Sequence, residues 1–181
     1  MIILVGASAS GKTEVAKKLK ERFGIQKFVT HTTRPMRPSE KADIDYHFVS
    51  KDDFFTLLQE NFFVETTNYN GNYYGTSKKE VSDNKVLIVD PRGLFVFKQL
   101  NDTHIVAFYL ETAADIRQKR MITRGDEQDK IHSRLLNDQV DFAPEHLQIV
   151  DYRIVTDHYS IDQVATIVYE TYQKHLAALN A

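Results

Sequence analysis

The sequence predicts an α/β fold, a parallel β-sheet core flanked by helices, and three observations carry that expectation. Short apolar runs alternate with segments whose apolar residues recur at helical spacing. A glycine-containing octapeptide joins the first such run to the first such helix. The length, 181 residues, suits one domain, and a chain of that size buries roughly 70% of its unfolded surface.

The elements follow in order. Ile2, Ile3, Leu4 and Val5 form a continuous apolar strand ending at Gly6. Val15, Ala16, Leu19 and Phe23 then mark one face of a helix, with Gly24 placed as its C-cap. A second unit runs through Val86, Leu87, Ile88, Val89 and Asp90, followed by Pro91, Gly93 and an apolar segment to Leu100. A third spans Ile105 to Leu110, after which Thr112 and Asp115 have capping-box spacing for a helix toward Met121. The last pairs a strand from Tyr152 to Thr156 with a helix opened by Ser160 and Gln163, whose apolar face is Ile161, Val164, Ala165, Val168, Tyr172, Leu176 and Leu179. Strands followed by covering helices imply a mostly parallel sheet buried on both faces.

Two stretches break the rhythm. Residues 30–79 read as an inserted subdomain: a proline-bounded loop, a helix capped by Ser50 with Asp53 three residues on, then short strands. From Arg117 to Arg134 the chain is rich in charge, with arginines at 117, 120, 124 and 134 around Gly125.

Composition excludes several classes of function. The balance of 23 Lys and Arg against 25 Asp and Glu gives a formal charge of −2, which argues against broad coating of nucleic acid. A 42% apolar and 11% aromatic content supports a folded core rather than disorder. No apolar run is long enough for a membrane span, and the opening residues lack a basic segment and cleavage site. With no cysteine there is no disulfide, thiolate metal site or thiol nucleophile, which fits a reducing cytoplasm.

Gly6, Ala7, Ser8, Ala9, Ser10, Gly11, Lys12 and Thr13 satisfy G-x-x-x-x-G-K-[ST] between a strand and a helix, the context that motif requires. Such a loop turns its backbone N–H groups inward as an anion nest, reinforced by the helix N-terminus. Lys12 is placed to reach the β- and γ-phosphates, and the Thr13 hydroxyl is the expected ligand for Mg²⁺ carried with ATP. The loop alone leaves the phosphoryl acceptor open.

On the acceptor side, Arg34 and Arg37 stand three apart in the proline-stiffened segment TTRPMRP, suited to gripping a phosphate. DYHFVS, FFVE and GNYYGT follow, and RG, RL and DYRIVTD come later. In this order, over nearly the whole chain, these motifs resemble guanylate kinase. The resemblance implies a P-loop kinase with a core of 1–29, 80–116 and 136–181, a nucleoside-monophosphate-binding insertion at 30–79 and a short lid at 117–135. It further implies that Arg34, Arg37, Tyr46 and Tyr74 hold the GMP phosphate, that Thr30 and Glu65 lie near guanine, and that Thr76 assists. Arg120, Arg124 and Arg134 fall on lid arginines, and Thr156 and Asp157 stand where the family has Asn-Asp near adenine.

The chemistry of the base supports Glu65 separately. Guanine offers two donors, N1–H and the 2-amino group, and one carboxylate accepts both. Adenine has an acceptor at N1 and no 2-amino group, so a site built on these hydrogen bonds rejects it. The other reading of Glu65 is a solvated surface carboxylate. Tyr73 and Tyr74, adjacent on an expected strand, should face opposite ways, and the resemblance selects Tyr74 as the ligand.

Asp90 ends an apolar strand, where a carboxylate can bind Mg²⁺ directly or through water; the other reading is a strand-end cap. The family pattern is Asp-x-Asp, the second member helping to read guanine, and this chain has Ile88 at the first position. A phosphate oxygen is already a nucleophile, so no general base is required, and catalysis rests on Lys12, Arg34, Arg120, Arg124 and Arg134 neutralising charge. The expected reaction is transfer of phosphate from MgATP to GMP by a monomer or homodimer that engages neither nucleic acid nor membrane. A different phosphorylated acceptor and a non-catalytic interaction module are the alternatives.

Overall fold

A computed structural model of the chain describes every residue except Arg37, Ser39, Asp45 and Asn70, together with the backbone but not the side chain of Tyr69. Five parallel strands form the central sheet: β1 (Ile2–Val5), β2 (Gln26–Lys27), β7 (Lys85–Ile88), β8 (Val106–Glu111) and β9 (Tyr152–Val155). Their order is β2-β7-β1-β8-β9. Strand β1 is central, Ile2 aligning with Val86 on one side and Val106 on the other.

The continuous apolar character of β1 has a direct cause: both faces of the sheet are covered. Ile2 and Leu4 point into a core shared with helices α1 (Lys12–Phe23) and α6 (Ile161–Leu179). Met1, Ile3 and Val5 point into a second core, closed by α3 (Pro91–Lys98) and the 3₁₀ turn Pro144–Leu147. Gly24 caps α1 as expected, and Phe23 stacks on Tyr169 of α6 at 4.2 Å. The Ser160–Gln163 capping box opens α6, both of its reciprocal hydrogen bonds being present. No helix of the described residues is long and apolar enough to cross a membrane.

The insertion builds its own sheet. Strands β3 (His31–Thr32), β4 (His47–Phe48), β5 (Phe63–Tyr69) and β6 (Asn72–Ser77) lie in the order β4-β3-β6-β5. Helix α2 (Lys51–Gln59) starts at Ser50, whose hydroxyl accepts the Asp53 N–H, and it buries Phe54 between Phe63 and Tyr73. Gly75 allows this packing, because a Cβ there would lie 2.7 Å from the Phe63 ring.

One expectation is corrected. Helix α4 (Ala114–Thr123) begins after Ala113 without a side-chain cap, so the Thr112–Asp115 box does not form. The Thr112 hydroxyl is instead shared with Thr156 at 2.6 Å and donated to the Ser10 carbonyl; tertiary partners outcompete the local one. Arg117 stands at the expected start of the lid. It is buried in the core, and helix α5 (Gln128–Asp141) carries past residue 135 to pack beside it.

Candidate active site

Residues 6–13 lead from the end of β1 into α1 as a tight loop. Gly11 has φ +100°, a left-handed conformation that favours glycine. Ala9 also has positive φ, 60°, a conformation costing an L-residue about 1–2 kcal/mol. The Lys12 ammonium bends back onto the loop, donating to the carbonyls of Gly6 and Ala7. Burial pushes its pKa down to about 8; Arg117 adds to the shift and Asp138 opposes it. Residues 9–13, with Arg120, Arg124 and Ile161, line a cleft of about 390 Å³. Thr13 is exposed on its wall.

The three arginines expected in the lid differ in placement. Arg120 donates to the Ala9 carbonyl at 3.1 Å and so sits on the loop itself. Arg124 lines the cleft and forms a two-pronged pair with Asp126, at 2.8 and 2.6 Å. Arg134 reaches the same Asp126 oxygen at 2.8 Å, which brings it beside Arg124 without placing it in the cleft wall.

The residues expected on the acceptor side gather on the insertion. Arg34 follows β3, its backbone N–H donating to the buried Thr32 hydroxyl. Its guanidinium pairs with Glu40 at 2.6 Å and lies 5.4 Å from the Tyr46 ring centre. Tyr46 meets Tyr74 edge-on at 6.1 Å. Tyr73 takes the opposite face of β6 and packs on Phe54 and Phe55, the division that strand alternation requires. Thr30 accepts the His47 N–H through its carbonyl. Arg37 lies outside the described residues.

Glu65 sits opposite Thr76 in the β5–β6 ladder and accepts its hydroxyl at 2.7 Å. Desolvation raises the Glu65 pKa, the negative charge of Asp90 adds to this, and the Thr76 hydrogen bond opposes it. Asp90 is therefore an electrostatic neighbour of Glu65. It is also the N-cap of α3, its Oδ1 accepting the Gly93 N–H at 2.7 Å. It lines a separate cleft of about 740 Å³ with Arg92, Phe95 and Val140. Ile88 packs partly buried against the α1–α6 core.

No three His, Cys, Asp or Glu side chains of the described residues form a metal cage. The exposed Thr13 hydroxyl on the cleft is a hard oxygen donor. Mg²⁺, which keeps several waters and takes phosphate oxygens, fits such a sparse donor set better than a zinc-like ion would.

Sequence reasoning missed Asp126, which pairs Arg124 and Arg134, Asp138, which pairs Arg117, and Glu40, which pairs Arg34. Asp126 was within reach, two residues from Arg124. Asp138 is 130 residues from its partner Ser8, and no local spacing signals that contact. Thr156 and Asp157, which stand where the family has Asn-Asp near adenine, make internal contacts: Thr156 is buried, and Asp157 accepts the Ala113 N–H.

Comparison with known proteins gives a consistent pattern. A family model described as guanylate kinase matches residues 1–175. The guanylate kinase of Legionella pneumophila (strain Lens) is 30% identical over 88% of this chain and 79% of that protein. That of Hydrogenovibrio crunogenus is 29% identical over 99% and 95%, respectively. The crystal structure of guanylate kinase from Anaplasma phagocytophilum superposes with a TM-score of 0.69 at 25% identity, covering 96% of this chain and 84% of that one. A shikimate kinase from Acinetobacter baumannii, at TM-score 0.53 and 13% identity, shares the fold.

Proposed function

As the chain belongs to the guanylate kinase family, we propose that it transfers the γ-phosphoryl group of MgATP to GMP, giving ADP and GDP. One observation carries the choice of acceptor: a half-buried carboxylate, Glu65, oriented by Thr76 on the same small sheet that presents Arg34, Tyr46 and Tyr74.

In this reading Glu65 accepts guanine N1–H and the 2-amino group, with Thr30 and Thr76 beside the base and Asp90 nearby. Arg34 exchanges Glu40 for the GMP phosphate, joined by Arg37 and by the Tyr46 and Tyr74 hydroxyls. Lys12 leaves its carbonyl partners for the β- and γ-phosphate oxygens, whose charge compensates the cost of burying the ammonium. Arg120, Arg124 and Arg134 meet the charge that spreads over the transferring group. The attacking atom is a phosphate oxygen, so alignment and neutralisation replace base catalysis. Mg²⁺, held by Thr13 and phosphate oxygens, supplies further neutralisation when bound.

We also propose that the insertion and the arginine-bearing segment close over the bound pair, excluding water as a competing acceptor. The cysteine-free sequence suits the cytoplasm as the place of action, and the enzyme works as a monomer or homodimer without nucleic acid.

A coupled assay with MgATP and a panel of nucleoside monophosphates tests the reading. GMP should be phosphorylated at least about 100-fold more efficiently than AMP, the discrimination expected when the wrong base leaves a site's polar groups unpaired. Preference for another acceptor, or a folded chain with no turnover, would contradict it.

A further inference from the structure

We infer that Asp138, neutralised by Arg117, is a positioning residue for the phosphate loop, the pair together holding Ser8 by every polar group that Ser8 possesses. This rests on the reading of residues 6–13 as the triphosphate site. Asp138 is 7% exposed, near the end of α5. One carboxylate oxygen accepts the Ser8 N–H at 3.0 Å and the other accepts the Ser8 hydroxyl at 3.1 Å. Arg117 donates to Asp138 at 2.5 Å and to the Ser8 carbonyl at 3.3 Å, while its Nε is anchored on the Thr112 carbonyl at 3.2 Å.

The position of this clamp gives it a task beyond filling the core. Ser8 immediately precedes Ala9, whose positive φ turns the loop, and the Ala9 carbonyl is gripped by Arg120 at 3.1 Å. The strained turn is thereby held from both sides. With its N–H committed to Asp138, Ser8 is withdrawn from the anion nest, and the phosphates are left to the amides that follow the turn.

A lone carboxylate behind the loop would repel those phosphates; paired with Arg117, it shapes the loop without that cost. A buried ion pair is weak evidence for added stability, because apolar residues of similar volume often serve as well. The pair is better explained by the geometry it imposes. Arg134 lies one helical turn before Asp138 on the same face of α5, so a single helix carries both the loop's clamp and a lid arginine.

The test compares Ser8→Ala and the double variant Arg117→Met with Asp138→Leu against the parent chain. Calorimetry measures ADP and GMP affinity separately, and thermal unfolding is followed in parallel. The double variant should unfold within a few degrees of the parent, bind ADP at least tenfold more weakly and bind GMP unchanged. Ser8→Ala should lose several-fold on ADP alone. Adding it to the double variant should cost little more, because its partner is already gone.

Unchanged ADP affinity in both variants, equal losses on ADP and GMP, or a double variant that fails to fold would overturn the inference. Because ADP is read apart from the acceptor, a parent chain that ignores GMP would defeat the proposed function while leaving this result interpretable.

Discussion

Glu65 and Lys12 are both half-buried charges whose environments oppose ionisation, and each has consequences in solution. The Glu65 pKa is raised, first by desolvation and then by Asp90. Protonation leaves it one donor too many for guanine, so GMP binding should weaken as pH falls, beginning at a higher pH than for an ordinary carboxylate. Glu65→Gln should raise KM for GMP at least tenfold, abolish that acid dependence and leave ADP affinity unchanged; steady-state kinetics across pH checks all three. Lys12, pushed down to about 8 by burial, is charged below that value and neutral above it. Affinity of the free protein for ADP should therefore fall as pH rises through about 8. Lys12→Met should bind weakly at every pH, and calorimetry reads both.

At the scale of elements, the small insertion sheet holds two structural sensitivities. His31 is packed among His47, Phe62 and Phe63, its Nδ1 buried without a partner among the described residues. Burial first, and the neighbouring His47 second, push its pKa down to about 4 from an ordinary 6.5. Between those values the unfolded chain holds a proton that the folded chain lacks. Stability is thus fully present above about pH 6.5 and is lost as pH falls toward 4. His31→Leu should flatten that loss in urea unfolding curves taken across the range.

Gly75→Ala would drive a methyl into the Phe63 ring, at a cost of about 1–3 kcal/mol. The strain would also disturb Thr76 and with it the orientation of Glu65. Urea unfolding should show the loss of stability, and GMP kinetics should worsen more than ADP binding does.

Which elements could be read in advance follows from the range of the interactions that form them. Ser50, Ser160 and Gly24 act on residues three to five positions away, and their caps were legible. Thr112 has the same local spacing, but its hydroxyl is taken by Ser10 and Thr156 across the fold. The broken rhythm of residues 30–79 was legible in the sequence, whereas the strand order β4-β3-β6-β5 depends on long-range pairing.

For the whole molecule, the phosphate loop was legible because a strand, a turn and a helix N-terminus are contiguous in sequence. The supports of that loop were not, since Asp138 and Arg117 approach Ser8 from 130 and 109 residues away. Arg34, Tyr46, Tyr74 and Glu65, proposed to hold the acceptor, gather on the insertion and its sheet, whereas Arg120 lies on α4, Arg124 at its C-cap and Arg134 on α5, so the proposed reaction gathers its substrates between these elements. Small-angle scattering should show compaction when GMP and a non-hydrolysable ATP analogue are present together, and less with either alone; an unchanged radius of gyration would count against closure.

The most direct measurement of the central claim is a crystal structure with GMP and that analogue bound. It should place both Glu65 oxygens about 3 Å from guanine N1 and the 2-amino nitrogen, with Arg34 released from Glu40 onto the GMP phosphate. A base lodged elsewhere, with Glu65 still engaged by Thr76 alone, would contradict the account.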